Sequence, residues 1–174
     1  VKPPAGTPVT PGVRDTLVEL LDFPATVEAI TGLRMPEVHF GRSLLPTIAD
    51  PAVPHRDQVL CEGGKLAAEW TAIPGEMQGK EPQPGGMYYP KQILAHRELQ
   101  HIGLSSMLRT DRHKLIKRLY ADDEFYDLEA DPQELHNRID DPAYAAVRSD
   151  PEGRLFAELF ATASITPMGM DQRE

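Results

Sequence analysis

The sequence predicts an α+β fold in which a small antiparallel sheet of three to four strands is packed by a C-terminal helix. Three observations carry that prediction. The runs SSMLRT (105–110) and HKLIKRLY (113–120) flank a tight polar turn at Asp111 and Arg112, the pattern of a hairpin. A further strand-prone run, EFYDL (124–128), follows closely. Beyond it, Leu155, Phe156, Leu159, Phe160 and Ala163 recur at helical spacing as one apolar stripe. Strands followed by a covering helix are the economical way to bury one sheet face.

The remaining elements follow in chain order. VKPPAGTPVTPG has four prolines in twelve residues and no methionine, so it reads as a crossing strand or linker and is expected to belong to a longer chain. It also lacks a basic-then-apolar leader. DTLVELLDFPATVEAITGL (15–33) places Leu17, Leu20, Leu21, Val27, Ile30 and Leu33 at intervals of three and four, which predicts a helix with Pro24 near its first turn and Gly32 as its stop. GRSLLPTIAD (41–50) is at most a short helical turn, and QVLCE (58–62) is a brief strand. Residues 63–105 change texture: glycine and proline recur in PGEMQGKEPQPGG, and the aromatics have no period. Such a length without regular structure marks a functional excursion or a linker.

Composition removes several function classes. At 174 residues the chain has room for one domain with an appended piece, and its formal charge of −9 disfavours nucleic acid, whose binding rests on neutralising phosphates. The basic run RTDRHKLIKR (109–118) is followed at once by Asp122, Asp123 and Glu124, as on a solvated hairpin. No apolar run approaches the ~20 residues of a membrane span. The single cysteine, Cys61, makes no internal disulfide; it is expected to be a small buried strand residue, and it leaves the compartment open between cytoplasm, periplasm and secretion.

EFYDLEADPQELHN (124–137) holds five carboxylates and a histidine in fourteen residues. As a calcium loop it offers Asp127, Glu129 and Asp131 at the first three ligand positions, then fails at Pro132, where glycine is needed, and at Arg138, where glutamate is needed. As architecture it fits better: Asp131 as N-cap, Pro132 as first helical residue and Glu134 as the reciprocal partner, with His136 a polar neighbour. The Asp-Pro device returns at Asp141-Pro142 and Asp150-Pro151. No nucleophile–base constellation emerges; CEGGK gives Cys61 no base, and the histidines are scattered. Catalytic residues and metal ligands are therefore assigned to none of this chain. The excursion is the place for specificity contacts, with Lys65, Trp70, Tyr88, Tyr89, Arg97 and His101 as candidates; the cations suit an anionic ester and the aromatics a ring or sugar face.

Four passages in order resemble the sulfatase family: DFPATVEAITGL, FGRSLLP, MLRTDRHKLIKRLY (107–120) and FYDLEADPQELHN (125–137). The resemblance covers about residues 9–165. It implies the C-terminal subdomain of an alkaline-phosphatase-like α/β sulfatase, with 1–50 the tail end of the catalytic domain and 51–174 the C-terminal subdomain, its excursion at 63–105. It implies hydrolysis of sulfate esters or sulfamates, or of phosphate or phosphonate monoesters by relatives of the same architecture. The family's formylglycine, made in a Cys/Ser-x-Pro-x-Arg motif, and its calcium are implied for a missing N-terminal domain. CEGGK does not match that motif, and Ser149-Asp-Pro-Glu-Gly-Arg154 has its arginine one place late. The chain alone is thus expected to be inactive, with its own catalytic domain and a small sulfated substrate as partners and with self-association of the fragment. A free-standing binding or subunit module is the reading from another class.

Overall fold

The computed structural model describes residues 2–35, 39–67, 84–87, 89–90, 93, 98, 100 and 102–163. Contacts divide the chain into two compact units, one of Val1–Leu60, Arg109–Asp111 and Phe156–Glu174, the other of Cys61–Leu108 and Arg112–Leu155. Among the described residues, no helix is long and apolar enough to cross a membrane.

The sheet is as expected. Four strands, β1 (Gln58–Gly63), β2 (Ser105–Thr110), β3 (His113–Arg118) and β4 (Glu124–Asp127), are ordered β1-β2-β3-β4. β3 and β4 run antiparallel with Leu115 opposite Phe125. The core of the second unit gathers Leu108, Leu115 and Phe125, all fully buried, with Leu155 nearly so. The His113 ring stacks on Phe125 at 5.5 Å, and Tyr144 tilts against the same ring at 5.9 Å.

The stretch 124–137 stops a strand as expected, but it does not start a helix. Asp127, buried at the end of β4, accepts the N–H of Glu129 at 3.1 Å and lies 3.5 Å from the Arg112 guanidinium. Burial raises its pKa; these donors and the Ala130 N–H outweigh that, and the net shift is downward. Pro132 then sits in a turn closed by the Glu134 N–H on the Asp131 carbonyl at 3.1 Å. Glu134 adopts φ 57°, which ends any helix, and its carboxylate reaches Lys114 at 2.5 Å instead of returning as a cap. Asp131 instead accepts the His136 N–H at 2.8 Å. Asn137 takes over the pairing of β4: its Oδ1 accepts from Phe125 N–H at 2.9 Å and Ile139 N–H at 3.0 Å, and its Nδ2 donates to the Asp123 carbonyl at 3.0 Å.

Asp141-Pro142 does open a helix. Asp141 accepts the Ala143 N–H at 3.0 Å over the 3₁₀ turn Pro142–Tyr144, which leads into the long C-terminal helix Ala145–Ala163. The start expected at Asp150-Pro151 is absent, because this helix runs through Pro151. Its apolar stripe is also split: Leu155 is buried, whereas Phe156 and Phe160 are 63% and 66% exposed and tilt against each other at 4.8 Å. A hundred degrees per residue carries Phe156 and Phe160 well away from the face that holds Pro151 and Leu155.

In the first unit, α1 spans Asp22–Thr31 rather than 15–33. Pro24 is tolerated in its first turn, and Gly32 stops it at φ 72° with its N–H on the Glu28 carbonyl at 2.8 Å. Upstream, the chain is held in tight turns, Asp22 N–H on Glu19 O and Phe23 N–H on Leu20 O, which end the helical run. α2 (Leu45–Ala49) is the expected short turn.

Candidate functional site

The densest chemistry among the described residues lies in the first unit, around Asp22 at the start of α1. The carboxylate is fully buried. Oδ2 accepts the Glu19 N–H at 2.8 Å and the His55 Nε2–H at 2.8 Å; Oδ1 accepts the Arg42 N–H at 2.8 Å. Arg56 lays its guanidinium along both oxygens, with Nε at 3.2 and 3.0 Å and Nη2 on Oδ1, while the same Nη2 donates to the Phe40 carbonyl at 3.0 Å and lies 3.1 Å from Glu19. Burial raises the Asp22 pKa, but the Arg56, Glu19, Arg42 and His55 donors outweigh it and hold the carboxyl well below its usual range. Arg56 is pushed upward in turn, chiefly by its bond to Asp22.

Local sequence explains the convergence. Thr26, one helical turn after Asp22, donates its hydroxyl to the Asp22 carbonyl at 2.6 Å and accepts the Leu44 N–H at 2.9 Å. Gly41 lets the 39–44 segment press against α1, since a Cβ there would stand 2.0 Å from the Leu21 carbonyl oxygen. Chemically this centre is saturated. Every lone pair of Asp22 is engaged, so it has nothing left to bind a metal or accept a substrate proton. It clamps α1, the 39–44 segment and the 55–56 segment together. None of its members was singled out by residue-level reasoning; the signal lay in the family-like passages, with Asp22 at the head of DFPATVEAITGL and Phe40, Gly41 and Arg42 opening FGRSLLP.

Beside α1 an open cleft of about 690 Å³ is lined by Glu28, Arg34, Met35, His39 and Ser43. His39 is not a free base there. Its Nδ1 accepts the Gly41 N–H at 3.2 Å, so the proton sits on Nε2 and is donated to Glu28 at 2.8 Å. The Glu28 carboxylate, which also takes the Met35 N–H, is held below its ordinary pKa by that N–H and by His39.

Of the specificity candidates, Trp70, Tyr88, Arg97 and His101 lie outside the described residues. Lys65 is exposed at the neck of the excursion, where its N–H donates to the Ile102 carbonyl at 2.8 Å and its carbonyl accepts the Leu104 N–H at 3.1 Å. Gly64 permits that approach, with φ 97° and a would-be Cβ 2.1 Å from the Gly103 oxygen. The Tyr120 hydroxyl accepts the Ala67 N–H at 2.9 Å on the same neck. Tyr89 donates its N–H to Gly86 at 3.0 Å. Cys61 is exposed on β1, a correction to the buried position expected of it; β1 lies at the end of the strand order and its later half faces outward.

Among the described residues, no group of three or more His, Cys, Asp or Glu side chains could hold a metal, and Cys61 is followed by Glu62-Gly63 rather than by a proline and arginine at the required spacing.

No family model matches the chain. A stretch of 79 residues, 44% of this chain, is 52% identical to the uncharacterized sulfatase YidJ of Escherichia coli (strain K12) and covers 16% of that protein. The fold is similar to that of a putative sulfatase from Bacteroides thetaiotaomicron VPI-5482 (20% identity, 80% of this chain and 24% of that one, TM-score 0.53). It is similar also to the phosphonate monoester hydrolase of Agrobacterium radiobacter (22% identity, 84% and 25%, TM-score 0.57). The chain therefore has the fold of a subdomain found in sulfatases and phosphonate monoester hydrolases. Sequence narrows this further, and the resemblance to a sulfatase-family C-terminal portion is borne out. The chain spans about a sixth of the curated relative and a quarter of the structural ones.

Proposed function

We propose that this chain is the C-terminal part of a hydrolase of sulfate esters or sulfamates, where it completes the fold and walls the substrate cleft. The carrying observation is the 52% identity over 79 residues to a sulfatase. In this reading the nucleophile, a formylglycine, and the calcium that balances the sulfate charge reside in residues outside these 174, and this chain alone is inactive. The small sulfated substrate meets the excursion, where Lys65 and Arg97 offer cations to an anion and Trp70, Tyr88 and Tyr89 offer faces to a ring, with His101 between the two roles.

The test is to isolate the native gene product, take its intact mass, and assay it on an aryl sulfate and an aryl phosphonate monoester. A mass far above 19.3 kDa with sulfate ester turnover supports the reading. The TM-score of 0.57 to a phosphonate monoester hydrolase keeps that chemistry as the second reading, and preferential phosphonate turnover selects it. A mass of 19.3 kDa and no turnover leaves a stand-alone binding or subunit module. Within an active parent, alanine at the six candidates is expected to change preference among sulfated substrates more than turnover of the aryl sulfate. Unchanged preference in all six would reduce the excursion to cover.

A further inference from the structure

We infer that Tyr120 is a positioning residue: through the Ala67 amide it fixes the outgoing limb of the 63–105 excursion, and with it the side chains that the excursion brings to a sulfated substrate. The inference rests on the function proposed above, in which the excursion meets the substrate, and adds a residue that lies outside the excursion itself.

The excursion leaves and returns at one point of the second unit. Lys65 pairs with Gly103 in a single parallel bridge, closed by the Lys65 N–H on the Ile102 carbonyl and the Leu104 N–H on the Lys65 carbonyl. Gly64, with no Cβ and φ 97°, lets the limbs come that close. The bridge holds the limbs to each other. Their hold on the sheet comes from two consecutive residues at the open end of the β2–β3 hairpin, and it is of two kinds. The return limb is paired by backbone, with the Leu119 N–H on the Leu104 carbonyl at 2.9 Å. The outgoing limb is held by a side chain: the Tyr120 hydroxyl, 53 residues away in the chain, accepts the Ala67 N–H at 2.9 Å. Two torsions fix a tyrosine ring, so its hydroxyl can locate an amide at little entropic cost. Deleting that one oxygen releases the outgoing limb and leaves the strands and the hairpin as they are.

Tyr120→Phe in the full-length gene product keeps the ring and removes the acceptor. Hydrogen exchange at the Ala67 amide is expected to accelerate, with the Phe125 amide unchanged. The functional readout is the ratio of kcat/KM between two sulfated substrates, the pair whose preference changes with alanine at the six excursion candidates. Tyr120→Phe is expected to shift that ratio in the same direction by about two- to tenfold, the worth of one net hydrogen bond, and through KM rather than kcat. Ala67→Pro removes the donor instead and is expected to give the same shift, with the double variant no further displaced than either alone. Tyr126→Phe, which loses a hydroxyl bond to Glu124 of 2.9 Å within β4, should leave the ratio where it is. A ratio unmoved by Tyr120→Phe, or an Ala67 amide that exchanges as in the parent, overturns the positioning role while the proposed function stands. If alanine at none of the six candidates changes preference, the excursion is only cover and the role of Tyr120 falls with it.

Discussion

Replacing Asp22 with alanine leaves the Arg56 guanidinium, 7% exposed, facing an empty site, and a broken buried pair of this kind costs about 3–5 kcal/mol. Chemical denaturation of Asp22→Ala against the parent chain measures it; a loss below about 1 kcal/mol, the scale of an exposed pair, would mean that the clamp is solvated. The same carboxyl sets an acid limit. Its folded pKa is depressed, so its contribution is complete above the unfolded carboxylate value of about 4 and is lost as pH falls below it. Asp22→Asn should therefore flatten the fall in stability on the acid side of about pH 4, which a series of melts from neutral to acid would resolve. At this scale the sequence is least legible. Asp22 lies 33 and 34 residues before His55 and Arg56, and no local pattern announces that three short segments will converge on one carboxylate.

Among the elements, hairpins and strands read well, because alternation and a polar turn are local signals that the tertiary fold agrees with. The Asp131-Pro132 start misled because the same residues open either a helix or a β-turn. The choice fell to Glu134, which turns left-handed and pairs with Lys114 across the sheet. Asn137 is the consequence. Asn137→Ala removes two accepted bonds and one donated bond, an expected loss of about 1–3 kcal/mol, and hydrogen exchange at the Phe125 amide should accelerate specifically. The C-terminal helix offers a paired check. Leu155→Ala should cost about 2–5 kcal/mol as a core truncation, whereas Phe156→Ser, one residue on and 63% exposed, should be near neutral. Equal effects would show that periodicity, not burial, had been the better guide.

For the whole molecule, the apolar side chains that α1 exposes, Phe23 and Val27, and the net charge of −9 oppose each other. The isolated 174-residue chain is expected to associate with rising concentration, and more strongly as salt screens the repulsion between copies. Sedimentation velocity at low and high salt checks this; a monomer at high concentration under both conditions would count against it. The four strands, the C-terminal helix and the short α2 turn were legible from residue patterns alone, and the resemblance to the sulfatase family from four ordered passages, but the missing helix after Asp131 and the covered face of each helix were not, since these depend on neighbours that the local pattern does not contain. The sheet also carries a consequence in its two outermost strands. The Leu60 amide of β1 is occupied by the Glu19 carboxylate at 2.8 Å, and the Phe125 amide of β4 by Asn137 at 2.9 Å. At each margin one amide is thus occupied by a side chain from elsewhere in the chain, where a bare amide would invite a foreign strand. Changing Glu19 or Asn137, neither within the sheet, would uncover one amide at each margin, although at β4 the Arg138 N–H still covers the Phe125 carbonyl at 2.8 Å.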